Sequence, residues 1–106
     1  MRITIVTLFP EFFASPLACA LMGKGREAGV VDVALVKPRD FTTDRHHTAD
    51  DRPYGGGPGM VMLAEPLAKA LESIATPGRM LLTSPRGRAL DQDLARELAA
   101  GDALTI

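Results

Sequence analysis

Residues Arg79 to Ile106 read RMLLTSPRGRALDQDLARELAAGDALTI, and this stretch decides the fold class. It divides into strand, loop, capped helix and strand. RMLLT (Arg79–Thr83) is a short apolar run that follows the turn TPG. SPRGRAL is a loop punctuated by Pro85 and Gly87. Asp91 is a natural N-cap for QDLARELAA, where Leu94 and Leu98 share one face and Gly101 marks the end. ALTI (Ala103–Ile106) is the next apolar run. Two strands joined through a helix need a crossover connection, so they are expected to lie parallel in one sheet.

The same alternation runs upstream. RITIVTL (Arg2–Leu8) and VVDVALV (Val30–Val36) are rich in β-branched residues and read as buried strands. Between them SPLACALMGKGREAG reads as one helix, with Ser15 as N-cap, Pro16 at the first helical position and Gly29 at the C-terminal end. Gly23 and Gly25 are expected to weaken it. EPLAKALESIA places Leu67, Ala70, Leu71 and Ile74 on one helical face, opened by Pro66. The predicted order is β-α-β-loop-α-β-α-β, an α/β fold with a parallel sheet covered by helices. The fourth apolar run breaks off without turn or cap, so the chain reads as a piece of a longer protein.

The totals narrow the function classes. A chain of 106 residues has room for one domain, and 46% hydrophobic with 24% charged residues is ordinary for a soluble protein. A net charge of −1 gives no overall basic field, so any nucleic-acid contact must be local. Cys19 is the only cysteine, which rules out an internal disulfide and suits a reducing, cytoplasmic compartment. No apolar run has the length of a membrane span, and the N-terminal run is too short for a signal peptide.

Between the second strand and the second helix lies a segment with neither helical nor strand period, Pro38 to Gly59. Its centre, DRHHTADDRPYGGGPGM (Asp44–Met60), holds both histidines, the only tyrosine and four of the ten glycines. Loops of this length in compact α/β domains are functional or disordered. Gly55, Gly56, Gly57 and Gly59, with Pro58 among them, suggest a shaped backbone that another backbone or a planar ligand can approach. It is no Walker A loop, because Met60 and Val61 stand where lysine and Ser/Thr belong, and it lacks the third glycine of a dinucleotide fingerprint. Asp44, His46, His47, Asp50 and Asp51 are metal-ligand types, but without His-x-x-x-His spacing and with Arg39, Arg45 and Arg52 as local partners they do not form a metal motif. From Lys37 to Arg52 four cations mix with four aspartates and two histidines. Arginine forks fit phosphate or a guanine edge, and aspartate accepts from guanine N–H groups, so the segment suits recognition of a base better than tracking of a phosphate backbone.

A second candidate is LTSPRGR, Leu82 to Arg88. It begins at the carboxyl end of a parallel strand, where open α/β sheets bind ligands. Ser84 can hydrogen-bond, Pro85 gives a rigid wall and Gly87 is expected to expose backbone N–H groups. An ordinary βα turn is the alternative.

LFPE after the first strand, PRDFTTDRHHTADDRPYGGGPGM in the middle and SPRGRALDQ after the third strand together resemble the bacterial tRNA (guanine-N1)-methyltransferases, the TrmD family. The resemblance covers the whole chain and less than half of the usual family length. It implies residues 1–106 as the N-terminal part of a cofactor-binding SPOUT-type domain, with the trefoil knot and the C-terminal tRNA-binding domain beyond Ile106. It implies a cytoplasmic homodimer that moves a methyl group from S-adenosylmethionine to N1 of the guanosine 3′-adjacent to the anticodon in tRNA, with magnesium as a further cofactor candidate. Leu82, Ser84, Pro85 and Gly87 become cofactor-binding candidates, although Arg86 stands where the family more often has glutamine. His46, Asp50, Arg52, Tyr54, Pro58 and Gly59 become tRNA-side candidates, with Asp50 and Arg52 in supporting catalytic roles. The family's general base falls outside these residues, and no metal ligand is assigned. Two other readings stay open: a non-catalytic RNA-binding α/β module, and a metal-dependent hydrolase using the His/Asp loop.

Overall fold

A computed structural model describes all residues, Met1–Ile106. Four strands form one parallel sheet: β1 (Arg2–Val6), β2 (Asp32–Val36), β5 (Arg79–Met80) and β6 (Ala103–Thr105), in spatial order β2-β1-β6-β5. The expected α/β class with a parallel sheet is therefore present. β1 pairs with β2 from Arg2↔Asp32 to Val6↔Val36 and with β6 from Arg2↔Ala103 to Thr4↔Thr105. A separate antiparallel ribbon joins β3 (Asp50–Asp51) to β4 (Val61–Met62). The helices are α1 (Ala14–Ala18), α2 (Ala20–Glu27), α3 (Ala64–Glu72) and α4 (Gln92–Ala99), with short 3-10 turns at Pro10–Phe13 and Pro38–Phe41.

Several elements are shorter or differently cut than the sequence pattern suggests. The expected first helix is split: Ser15 lies inside α1 rather than capping it, and the chain breaks at Cys19 before Ala20, which sits at φ 52. Gly23 explains the geometry. An added Cβ there would lie 2.6 Å from the Ala18 carbonyl oxygen, so this buried glycine lets α2 fold back against the end of α1. Its absence of a side chain serves packing as well as lowering helix propensity. Gly29 ends α2 as expected, with φ 70, a bond from its N–H to the Arg26 carbonyl and one from Val30 N–H to the Gly25 carbonyl. In α3, Leu63 is the N-cap and Pro66 sits third rather than first, still within the turn whose N–H groups have no helical partner. Asp91 caps α4 as the pattern requires, its side chain accepting from Leu94 N–H at 2.7 Å. The runs Arg2–Leu8, Val30–Val36 and Arg79–Thr83 contain shorter strands than their apolar length. Single hydrogen bonds continue just past their ends, from Thr7 N–H to the Val36 carbonyl and from Leu81 N–H to the Thr105 carbonyl.

The core is thin. Only 8 of 106 residues are buried, among them Ala49, Ala70, Leu104, Thr4 and Thr105, with Leu104 on one face of the sheet and the paired Thr4 and Thr105 on the other. The accessible surface is 7871 Å², against roughly 5,700 Å² for a monomeric protein of this mass. The radius of gyration of 15.6 Å exceeds the roughly 13 Å of a compact chain of this length. Phe9, Phe12, Leu21, Val30, Leu82 and Leu90 are all exposed. Thr105 Oγ donates to the Pro77 carbonyl at 2.6 Å and ties the turn before β5 to the sheet.

That turn depends on Gly78. Its φ is 60, and an added Cβ would stand 2.1 Å from the Ala103 carbonyl oxygen and 2.7 Å from the Ala103 Cβ. Both the backbone conformation and the approach of β5 to β6 exclude a side chain. Gly78→Ala is expected to destabilise the chain by about 2 kcal/mol or more, read as a lower urea midpoint at unchanged m-value; a midpoint within error of the parent would contradict this account.

Candidate active site

The two segments singled out in the sequence are built by different means. Leu82–Arg88 leaves β5 at the carboxyl edge of the sheet. Ser84–Gly87 is a tight turn, closed by Gly87 N–H donating to the Ser84 carbonyl at 3.1 Å, with Pro85 in its second position. Ser84 Oγ accepts from Arg86 N–H at 3.2 Å. The Gly87 N–H is thus consumed by the turn, which corrects the expectation that it would face a ligand. Leu82, Ser84, Pro85 and Gly87 do line one concavity of about 860 Å³, together with Leu94 and Leu98 of α4 and Ile3, Leu104 and Ile106 of the sheet. All four expected cofactor residues therefore share a predominantly apolar groove between α4 and the sheet.

A charged clasp holds that groove's outer wall. Glu97 on α4 accepts from Arg79 of β5 at 2.5 Å and from Arg88 at 3.3 Å, and Arg88 also pairs with Asp91 at 3.8 Å. The hydrogen bond from Arg79, and then that cation's charge, lower the Glu97 pKa below its ordinary 4.5. The sequence pattern gives these residues no role, because Arg79, Arg88, Asp91 and Glu97 are spread over β5, the loop and α4 and only the fold brings them together.

The polar segment is not structureless. The 3-10 turn Pro38–Phe41 is anchored by Pro38, whose side chain is fully buried, and α3 packs against this turn. Asp44 then organises the next turn. Its carboxylate accepts from Thr48 N–H at 3.0 Å, Thr48 Oγ at 2.7 Å and His46 N–H at 3.2 Å. The Thr48 hydroxyl is the main reason the Asp44 pKa falls below its ordinary value. His47 is held at φ 50 within this turn. Its Nδ1 lies 3.3 Å from the Arg39 carbonyl and 3.2 Å from Thr42 Oγ. The Arg39 carbonyl can only accept and Thr42 Oγ already donates to it at 2.8 Å, so Nδ1 carries the hydrogen. Arg39 in turn donates to the His47 carbonyl at 3.2 Å and pairs with Asp50 at 3.2 Å.

The ribbon continues into a projecting glycine turn. Gly55, Gly56, Gly57 and Gly59 all have positive φ, from 79 to 116, as a shaped backbone requires. Tyr54 is fully exposed, and Arg52 takes part in none of the molecule's ion pairs. Of the tRNA-side candidates, Asp50 is half-buried and held, whereas His46, Arg52, Tyr54, Pro58 and Gly59 are exposed on the turn and the tip. None of the six lines the apolar groove, so within this chain the two candidate segments do not form one cavity. No three His, Cys, Asp or Glu side chains converge to hold a metal ion, which removes the geometric basis for the metal-dependent hydrolase reading. No helix is long and apolar enough to cross a membrane.

Comparison with known proteins gives a consistent result. A family model described as tRNA (Guanine-1)-methyltransferase TrmD matches residues 1–106. Relatives named tRNA (guanine-N(1)-)-methyltransferase from Oleidesulfovibrio alaskensis and Nitratidesulfovibrio vulgaris are 70% and 65% identical to the whole chain, which covers 25% of each. A relative of the same name from Gloeobacter violaceus is 54% identical over 102 residues, 94% of this chain and 45% of its own length. The crystal structure of tRNA (m1G37) methyltransferase from Aquifex aeolicus superposes with a TM-score of 0.84 at 31% identity, over all of this chain and 49% of that one. The chain thus spans a quarter to a half of the length of these proteins.

The clasp makes a pH prediction. A carboxyl whose pKa is lowered on folding contributes stability that is present in full above its unfolded value and lost as pH falls through the lower folded value. The melting temperature of the parent should exceed that of Glu97→Gln at neutral pH, and the gap should close as pH drops below about 4.5. A gap that is constant down to strong acid would show that the clasp does not act through charge.

Proposed function

The chain belongs to the tRNA (guanine-1)-methyltransferase family, and from that membership we propose the activity of the complete enzyme built on this segment: transfer of a methyl group from S-adenosylmethionine to N1 of the guanosine 3′-adjacent to the anticodon in tRNA. The observation that carries this reading is the apolar groove at the carboxyl edge of the sheet, onto which Leu82, Ser84, Pro85 and Gly87 converge. Its size falls in the range of small-molecule sites, and its apolar walls suit a flat nucleoside base. These four residues would hold the cofactor, which supplies an activated methyl group on a sulfonium. The turn that closes on Ser84 and Gly87 keeps the Pro85 wall fixed.

Guanine N1 bears a proton and is a weak nucleophile while neutral. For N1 to accept the methyl group that the cofactor would supply, its proton would have to pass to a base that the family resemblance places outside these residues. Charge develops on O6 as that proton leaves, and a nearby cation stabilises it. Arg52, unpaired within the chain, is the group for this or for a phosphate. Asp50, at the base of the ribbon, accepts from the purine's N–H edge and orients it. His46, Tyr54, Pro58 and Gly59 present exposed polar, aromatic and backbone surface to the RNA on the same segment. Magnesium enters only as an ion shared with substrate phosphates, because no ligand cluster of three is present.

The wider family architecture follows as part of the proposal: a SPOUT-type domain completed by a trefoil knot, a C-terminal tRNA-binding domain, and a cytoplasmic homodimer. The surplus of exposed apolar surface supports it, since Phe12 and Leu21, which lie outside the groove, need a covering partner.

A chimera that carries residues 1–106 in place of the matching segment of the Oleidesulfovibrio relative tests the reading. Asp50→Ala and Arg52→Ala should each lower kcat/KM for tRNA by about tenfold or more, with heat of S-adenosylmethionine binding retained. Unchanged kinetics in both removes these residues from the site, and no binding heat in the parent chimera would favour the non-catalytic RNA-binding module. The isolated chain should show little or no transfer in a radiolabel assay, because its groove is open and its two segments lie apart; robust turnover by it would overturn that part.

A further inference from the structure

We infer that Arg39 is the positioning residue of the proposed site, setting the orientation of the Asp50 carboxylate from the folded core. This deepens the reading above and rests on it.

The geometry is a two-pronged grip. One guanidinium nitrogen of Arg39 donates to the His47 carbonyl at 3.2 Å, and another donates to Asp50 Oδ1 at 3.2 Å. The Arg39 carbonyl receives the His47 Nδ1 hydrogen at 3.3 Å. Residues 39 and 47 are thus bonded in both directions, and Asp50 is gripped three residues further on. Both side chains of the pair are shielded, at 29% and 22% exposure. Every other ion pair in the molecule has at least one side chain 48% exposed or more. In such surroundings a planar fork restrains a carboxylate more strongly than a surface pair does.

The anchor behind Arg39 is the core itself. Pro38 is fully buried, and the 3-10 turn that carries both residues packs against α3. Ala49, next to Asp50, has no exposed surface, and its carbonyl accepts from Leu63 N–H at 2.8 Å. Asp50 therefore inherits its position from Pro38, Ala49 and Leu63, not from the glycine tip. Only Oδ1 is engaged. No hydrogen bond within the chain uses Oδ2, and the side chain holds no buried unpartnered oxygen, so Oδ2 reaches solvent. The grip leaves Oδ2 without a partner in the chain and free to accept from the purine. Arg39 touches no substrate in this arrangement; it acts through Asp50. Lysine could keep the charge but not both contacts from one planar group.

A double-mutant cycle in the same chimera tests the assignment. Arg39→Gln should lower kcat for tRNA by about tenfold, with KM for S-adenosylmethionine within about twofold of the parent. Arg39→Lys should recover part of that loss. In the Asp50→Asn background, Arg39→Gln should cost less than about threefold more, because the group it positions is already disabled. A parent-like kcat in Arg39→Gln beside a slow Asp50→Asn overturns the positioning role alone. Equal losses in both backgrounds also overturn it, since they mark a brace that does not act through Asp50. If Asp50→Asn itself matches the parent, the site reading falls and this inference with it. Should Arg39→Gln not fold, the cycle is run with Arg39→Lys, where about a threefold loss that vanishes in the Asp50→Asn background supports the assignment and an equal loss in both overturns it.

Discussion

The insertion of β6 between β1 and β5 is the constraint on which the rest of the molecule depends. Ile106 N–H donates to the Thr4 carbonyl at 2.9 Å, Val6 N–H to the Ile106 carbonyl at 2.7 Å, and Leu81 N–H to the Thr105 carbonyl at 2.8 Å. Without this central strand β1 and β5 have no neighbour in common. With it, the parallel arrangement sends the chain out of every strand at one edge, and Leu82–Arg88 leaves there beside α4. Ile3, Leu104 and Ile106 then form the floor of the groove and the loop forms its wall. The fit is close enough that Gly78 tolerates no side chain against Ala103.

The two candidate segments draw their order from different physics. The groove is apolar and rests on packing of α4, braced by Glu97 between two arginines. The ribbon has few apolar residues and rests on directed polar contacts: the Asp44 carboxylate around His46 and Thr48, and the Arg39 fork around His47 and Asp50. Beyond Asp51 that support changes character. The tip is shaped by glycine backbone conformation, with one internal bond from Gly56 N–H to the Pro53 carbonyl. A graded support of this kind fits a site in which the base of the ribbon orients a ligand and the tip adapts to a larger surface.

Burial is sparse because the strands present two apolar faces while the four helices are short, the longest being α3 with 9 residues. Leu82, Leu90, Phe12 and Leu21 remain uncovered as a consequence. In a family whose named relatives are two to four times longer, such faces have candidates to cover them in the remaining length or in a second copy.

The α/β class was legible because strand and helix periods are local: RITIVTL, VVDVALV and ALTI carry their β-branched pattern in consecutive residues, and Asp91 and Gly29 mark helix ends by their own chemistry. The charged glycine segment was legible as a long polar connection for the same reason, since its composition is a local property. Other features were not legible. Gly23 read as a weakness, and only the fold-back of α2 onto Ala18 shows it to be a packing requirement. The Gly87 N–H read as free, and only the closure of the turn on Ser84 shows it occupied. Arg39 read only as one of three cations beside the aspartates and Glu97 had no assigned role, since the partners they take lie 11 and 18 residues away. Thus the sequence alone determined which segments are strands, helices and polar loop, because those preferences act over a few neighbouring residues; the tertiary structure decided strand order, the groove and the grip on Asp50, because each requires groups distant in the chain to meet at hydrogen-bond range.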